Sequence, residues 1–169
     1  GCMKMKQKRV FLTVGIPGSG KTTFIRKQIE ENGGIHISRD EVRFSMLKPE
    51  DDYFAIENQV FDTFAKKVQD AIDDENGPND IYVDATHISW GSRRKILNRL
   101  NMGCIKELVM LYFDIPVEVA LERNASRTGR TLVPEEQMLS MAKNITKPTP
   151  GIRTKVWTIN KDGEVVSIE

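Results

Sequence analysis

An apolar run, "RVFLTV" (Arg9 to Val14), passes through "GIPGSG" straight into "KTTFIRKQIEEN" (Lys21 to Asn32), where apolar residues recur at helical spacing. Strand, glycine-rich turn and helix in direct succession commit the chain to a βα unit, and a helix that packs back on its sheet delivers the chain to a parallel strand. The turn fits G-x-x-x-x-G-K-[ST] without a gap as Gly15, Gly20, Lys21 and Thr22. Each residue type has a physical task. Glycines let the backbone curl with its N–H groups pointing inward around phosphate oxygens, and the following helix adds the positive end of its dipole. Lys21 supplies a mobile point charge for β- and γ-phosphates, and the Thr22 hydroxyl is suited to ligate Mg²⁺. Gly15, Pro17, Gly18, Ser19, Gly20, Lys21, Thr22 and Thr23 are therefore expected to cradle a nucleotide polyphosphate. A glycine-rich turn with a chance lysine is the plainer reading, and the strict pattern set between strand and helix argues against it.

The rest of the chain repeats the alternation. "IHIS" (Ile35 to Ser38), "IYVDA" (Ile81 to Ala85), "ELVMLYF" (Glu107 to Phe113) and "KVWTI" (Lys155 to Ile159) are mostly continuous apolar runs, as strands covered on both faces require. Between them "DYFAIENQVFDTFAKKVQDAID", "SWGSRRKILNRLN", "PVEVALERNASR" and "PEEQMLSMAKNI" carry helical spacing. In the first of these Phe54, Val60, Phe61, Phe64, Val68 and Ile72 form one stripe, which reads as core and not as an aromatic binding platform. "KDG" in the tail, with Gly163 supplying positive φ, predicts a hairpin and an antiparallel edge. The expected fold is α/β, a three-layer α/β/α sandwich with a mostly parallel five-stranded sheet and a short C-terminal hairpin.

At 169 residues, with 39% hydrophobic and 29% charged residues, the chain suits one domain over 9–169. Residues 1–8 read as an extension, with "GC" ahead of Met3 as an added remnant. A formal charge of +1 argues against a polymer-coating protein, so any nucleic-acid partner must be met by a local basic patch. Cys2 and Cys104 form no metal-ligand spacing, and Cys104 reads as a buried small hydrophobe. With no membrane span in the sequence, a cytoplasmic location is expected.

Three further clusters bear chemistry. In "SRDEVRFSM", Asp40 follows a strand end and is a candidate general base, with Arg43 one helical turn on to hold a phosphate or carboxylate; the bland alternative is an N-cap and a surface arginine. In "IYVDATH", Asp84 resembles a Walker-B carboxylate that serves Mg²⁺ or the acceptor, and Thr86 and His87 line the same edge, His87 otherwise as a helix cap. Arg93 and Arg94 beyond it suit a polyanion or are solvated helix charges. In "ERNASRTGRTLVP", Arg123 and Arg127 share a helix face and Arg130 follows Gly129 on an expected lid, where guanidinium groups can neutralise a transferring phosphoryl; a basic helix end complementing its own dipole is the alternative.

Together "GIPGSGKTT", "SRDEVR", "DATHISWGSRRKIL" and "FDIPVEVALERNASRTGRTLVP" resemble the kinase domain of phage-type polynucleotide 5′-hydroxyl kinases, within the P-loop kinase superfamily, from about Phe11 to Lys147. The resemblance implies a P-loop kinase fold with an arginine-bearing lid, ATP as donor and Mg²⁺ as its ion. It implies Lys21 and Thr22 on the ATP phosphates and metal, Asp40 as general base, and Arg43 on the phosphate 3′ to the acceptor nucleoside. Arg127 would be the lid arginine on the donor phosphates and Asp84 a carboxylate of the acceptor site. "SRTGRTL" leaves the division of labour between Arg127 and Arg130 open, and Arg123 and "KPTPG" are candidates for the adenine side. The chain has no room for the phosphatase domain of some relatives, so 3′-end repair is not expected. The expected partner is a 5′-hydroxyl end of RNA or DNA. Because "RDxxR" also occurs in small-molecule P-loop kinases, a nucleoside, sugar or antibiotic hydroxyl is the alternative acceptor.

Overall fold

The computed structural model describes residues 7–169, so "GC" and the rest of residues 1–6 lie outside the described residues. Its centre is Arg9–Val14 (β1), which pairs in parallel with Asp80–Asp84 (β3) on one side and Glu107–Phe113 (β4) on the other. Ile35–Ser38 (β2) adds outside β3, Thr154–Ile159 (β5) outside β4, and Val165–Ile168 (β6) closes that edge antiparallel. The order β2-β3-β1-β4-β5-β6 gives five parallel strands and one hairpin strand, as the continuous apolar runs and the "KDG" turn imply. Gly163 takes φ 78 in that turn.

Alternation along β1 sorts the layers. Val10, Leu12 and Val14 face one core with Glu57–Asp73 (α3) and the Ile96 side of Trp90–Leu97 (α4); Phe11 faces the other with Phe24 and Ile25 of Lys21–Asn32 (α1). Burying each large apolar side chain contributes roughly 1.5–3 kcal/mol. A third small cluster, Ile16, Ala120 and Met138, seats Val117–Ala125 (α5) and Glu135–Asn144 (α6) against the glycine loop.

Several details depart from expectation. The helix over 39–46, Arg39–Met46 (α2), begins directly at the end of β2, capped by the Ser38 hydroxyl accepting from the Glu41 amide at 3.2 Å, so Asp40 is not the N-cap. α3 starts only at Glu57: Ile56 takes φ 55, and Phe54 leaves the apolar stripe to stand 61% exposed. Lys8 is buried, its ammonium donating to the carbonyls of Asp74, Gly77 and Pro78. Cys104 is half-buried rather than interior and is not a free thiol. No helix among the described residues is long and apolar enough to cross a membrane.

Candidate active site

In an open α/β sheet the ligand crevice lies beyond the carboxyl ends of the strands, where the strand order reverses. Here that point is the end of β1, because the chain builds β2 and β3 on one side of it and β4 and β5 on the other. The loop leaving β1 has Gly18 and Gly20 at φ 80 and 93, a region that disfavours side chains. A methyl group at Gly18 would stand 2.5 Å from the Ala120 carbonyl oxygen, and one at Gly15 2.6 Å from Ser19 Oγ. The loop is thus pressed against α5, with no room for a side chain at Gly15 or Gly18.

Its polar groups suit an anion. Among the described residues Ser19 Oγ is buried with no partner, and no side chain caps the start of α1. Lys21 lies folded over the loop, donating to the carbonyls of Gly15 at 3.0 Å and Ile16 at 2.9 Å. Burial pulls the Lys21 pKa down to about 8; Asp84 and Asp40 oppose that shift and Arg127 adds to it, which places these groups around one ammonium. Pro17 is half-buried in the loop, and Thr23 is exposed on the first turn of α1. An orphaned hydroxyl, uncapped helix amides and an ammonium on neutral oxygens are the features that a polyphosphate would satisfy.

Thr22 Oγ1 donates to Asp84 Oδ2 at 3.0 Å, joining the loop helix to the end of β3. His36 Nε2 contacts the same oxygen at 2.8 Å. Burial raises the Asp84 pKa, but the His36 bond, Lys21 and Thr22 outweigh it and hold the carboxyl below its ordinary value. A hydroxyl beside an ionised carboxylate is the donor set that hard cations take, so both fit Mg²⁺. His36 escaped the sequence reading, although the β2/β3 register that pairs Ser38 with Asp84 brings its strand alongside. Thr86 contributes its carbonyl, which accepts from the Gly15 amide at 2.9 Å.

Across the cleft Asp40 is open, its side chain 58% exposed, while Arg43 is 5% exposed behind it. Arg43 Nε and Nη2 bond Glu57 Oε1 at 2.9 and 2.8 Å, and Nη1 donates to Asp40 Oδ1 and to the Tyr53 hydroxyl. Tyr53 in turn donates to Asp40 Oδ1 at 2.5 Å. Of the two ligands expected for the Arg43 fork, phosphate or carboxylate, the structure shows carboxylates: the fork is buried against Glu57 and Asp40. Both contacts fall on Oδ1, and Oδ2 of Asp40 has no hydrogen-bond partner among the described residues. Neither Tyr53 nor Glu57 was singled out from sequence.

The lid arginines separate. The guanidinium of exposed Arg127 has no hydrogen-bond or ion-pair partner among the described residues, and it lies close enough to lower the Lys21 pKa. Arg130 crosses the cleft, donating to the carbonyls of Lys48 and Asp51 and lying 5.6 Å over the Phe44 ring. Arg123 joins the Gly18 carbonyl at 3.3 Å to that of Lys161 at 2.6 Å. Through Arg123 the hairpin turn borders the loop, and the segment over 147–151 leads to the start of β5.

His87 and Arg93 are structural. His87 is buried, its Nδ1–H donating to the Thr13 carbonyl at 2.8 Å, and Ser89 caps α4 in its place through a box with Ser92. Arg93, 1% exposed, donates to the carbonyls of His87, Ile88 and Thr146 instead of facing a polyanion. Arg94 is exposed.

A mostly parallel sheet whose central strand feeds a backbone-lined anion loop, with a hydroxyl–carboxylate pair beside it and arginines overhead, has the P-loop kinase architecture. Residues 10–148 match the AAA domain family, and the chain belongs to it. Solved structures agree on the fold. A putative kinase from Chloroflexus aurantiacus superposes with a TM-score of 0.72 at 12% identity, covering 93% of this chain and 87% of that one. A chain of the Pnkp1/Rnl/Hen1 RNA repair complex gives 0.66 at 24% identity over 84% of this chain, which spans 45% of that one. A sugar kinase from Janibacter gives 0.62 at 18% identity over 92% and 86%.

Proposed function

We propose that this chain transfers the γ-phosphoryl group of ATP to the 5′-hydroxyl end of a polynucleotide. The observation that carries the reaction type is the state of Asp40: Oδ1 is tethered by Arg43 and Tyr53, and Oδ2 is free in the cleft that also holds Lys21. On this reading the acceptor hydroxyl gives its proton to Oδ2 while its oxygen bonds the γ-phosphorus. The bond from that phosphorus to the bridging oxygen breaks, and ADP leaves. Lys21 moves from the Gly15 and Ile16 carbonyls to the phosphates, the loop amides take phosphate oxygens, and Arg127 neutralises charge on the group in transit. Thr22 and Asp84 would hold Mg²⁺, which when bound would screen the phosphate charge.

The polynucleotide acceptor rests on the motif order and on the likeness to the RNA repair complex. A second reading, a kinase for a small-molecule hydroxyl, is favoured by Arg43, whose filled fork offers no anchor for an acceptor phosphate. ATP turnover measured without acceptor, with a single-stranded 5′-hydroxyl oligonucleotide, and with a panel of nucleosides, sugars and aminoglycosides separates them. The oligonucleotide is expected to give the highest kcat/KM and to acquire a 5′-phosphate. Turnover confined to a small alcohol gives the site to the second reading.

A further inference from the structure

We propose that Phe54 is a stacking ledge for the base of the acceptor's 5′-terminal nucleoside, an inference that rests on the polynucleotide reading above. Single exposed apolar side chains are ordinary, so exposure alone assigns nothing. What sets Phe54 apart is its attachment to the candidate base. Tyr53, whose hydroxyl bonds Asp40 at 2.5 Å, packs edge-on against Phe54 with ring centroids 4.7 Å apart. Phe44 also packs on Tyr53, at 5.8 Å, and lies under Arg130 from the lid. The tethered oxygen Oδ1 of Asp40 is thus joined through the Tyr53 hydroxyl to a cluster of mutually braced rings, one of which, Phe54, is 61% exposed.

The backbone keeps that last ring outside the core. Spacing alone would extend α3 backward and bury Phe54 with Val60 and Phe64, but Ile56 stands at φ 55, costly for a β-branched residue, and the helix begins after it. Strained backbone of this kind clusters at active sites and ligand clamps. A nucleoside whose 5′-hydroxyl reaches Asp40 extends its base outward from the cleft, and a base offers an apolar face that an exposed phenyl ring can cover. Stacking of this kind tolerates any base, as an enzyme acting on ends of any sequence requires.

Two single-stranded 5′-hydroxyl oligonucleotides, identical except that the first residue carries thymine or is abasic, test the ledge. kcat/KM is measured on both for wild type, Phe54→Ala and Phe54→Trp, with thermal melting as the fold control. Wild type is expected to prefer the base-bearing end by about tenfold or more, Phe54→Ala to lose most of that preference, and Phe54→Trp to keep it. Equal losses on both ends in Phe54→Ala, or a wild type that phosphorylates both ends equally, overturn the ledge and leave the polynucleotide reading intact. A wild type that phosphorylates neither end but turns over a small alcohol overturns the polynucleotide reading, and the ledge with it.

Discussion

Asp40 keeps one oxygen free because the other holds both of its partners. Arg43 and Tyr53 converge on Oδ1, and Glu57 pins the same guanidinium from behind while also binding Arg39 at 3.1 Å. The carboxylate is thereby aimed without being blocked, so Asp40→Asn should lower kcat by roughly 10²- to 10⁴-fold. Nucleotide affinity, measured by calorimetry, should hardly change. Arg43→Ala should act as the loss of an anchor. Removing a buried charge from Glu57 and Asp40 should cost about 3 kcal/mol of stability, read by urea denaturation. Its kcat loss should be the same for a nucleoside 3′-monophosphate and the unphosphorylated nucleoside. A loss confined to the phosphorylated acceptor would mean that Arg43 leaves its carboxylates to bind phosphate.

At the scale of elements, β1, β2, β4 and α1 were legible to the residue, because a buried parallel strand is a continuous apolar run and α1 is bounded by glycine on both sides. The start of α3 was not, since nothing in "FAIEN" announces a left-handed isoleucine, and spacing alone carried the helix back past Phe54. The same limit applied to the lid. Arg127 and Arg130 lie on one irregular segment, and only the carbonyls of Lys48 and Asp51, far away in sequence, tell them apart. The two should therefore fail differently. Arg127→Ala should lower kcat by about 10³-fold, as removal of an arginine finger does, with little change in acceptor KM. Arg130→Ala frees the lid from the 48–51 segment and should mainly raise acceptor KM, by about five- to tenfold for two exposed hydrogen bonds. Identical kcat and KM changes in the two variants would deny them separate tasks.

For the molecule as a whole, His87, expected from sequence at the cleft edge or as a helix cap, ties the layers together. Its ring bonds the Thr13 carbonyl of β1, stacks 6.5 Å from Phe64 of α3, and its own carbonyl takes Arg93 from α4. Burial pushes its pKa down to about 4, with the Thr13 bond opposing and Arg39 adding to the shift. The unfolded chain has an ordinary histidine near 6.5, so between pH 6.5 and 4 the unfolded state binds a proton that the native state refuses. The stability held above pH 6.5 is therefore lost progressively as pH falls toward 4, by about 3 kcal/mol for this one group. Asparagine isolates the effect, because it can donate to the same carbonyl, tolerates the φ of 44 found at this position, and does not titrate. Urea denaturation of wild type and His87→Asn across that range should give curves that converge as pH falls from 6.5 toward 4, the wild type losing about 3 kcal/mol more than the variant. Other carboxylates titrate in the same window, but they do so in both proteins and cancel in the difference. Parallel curves would mean that the buried imidazole takes up its proton without unfolding, and that the contacts around Thr13 and Phe64 yield more readily than their burial implies.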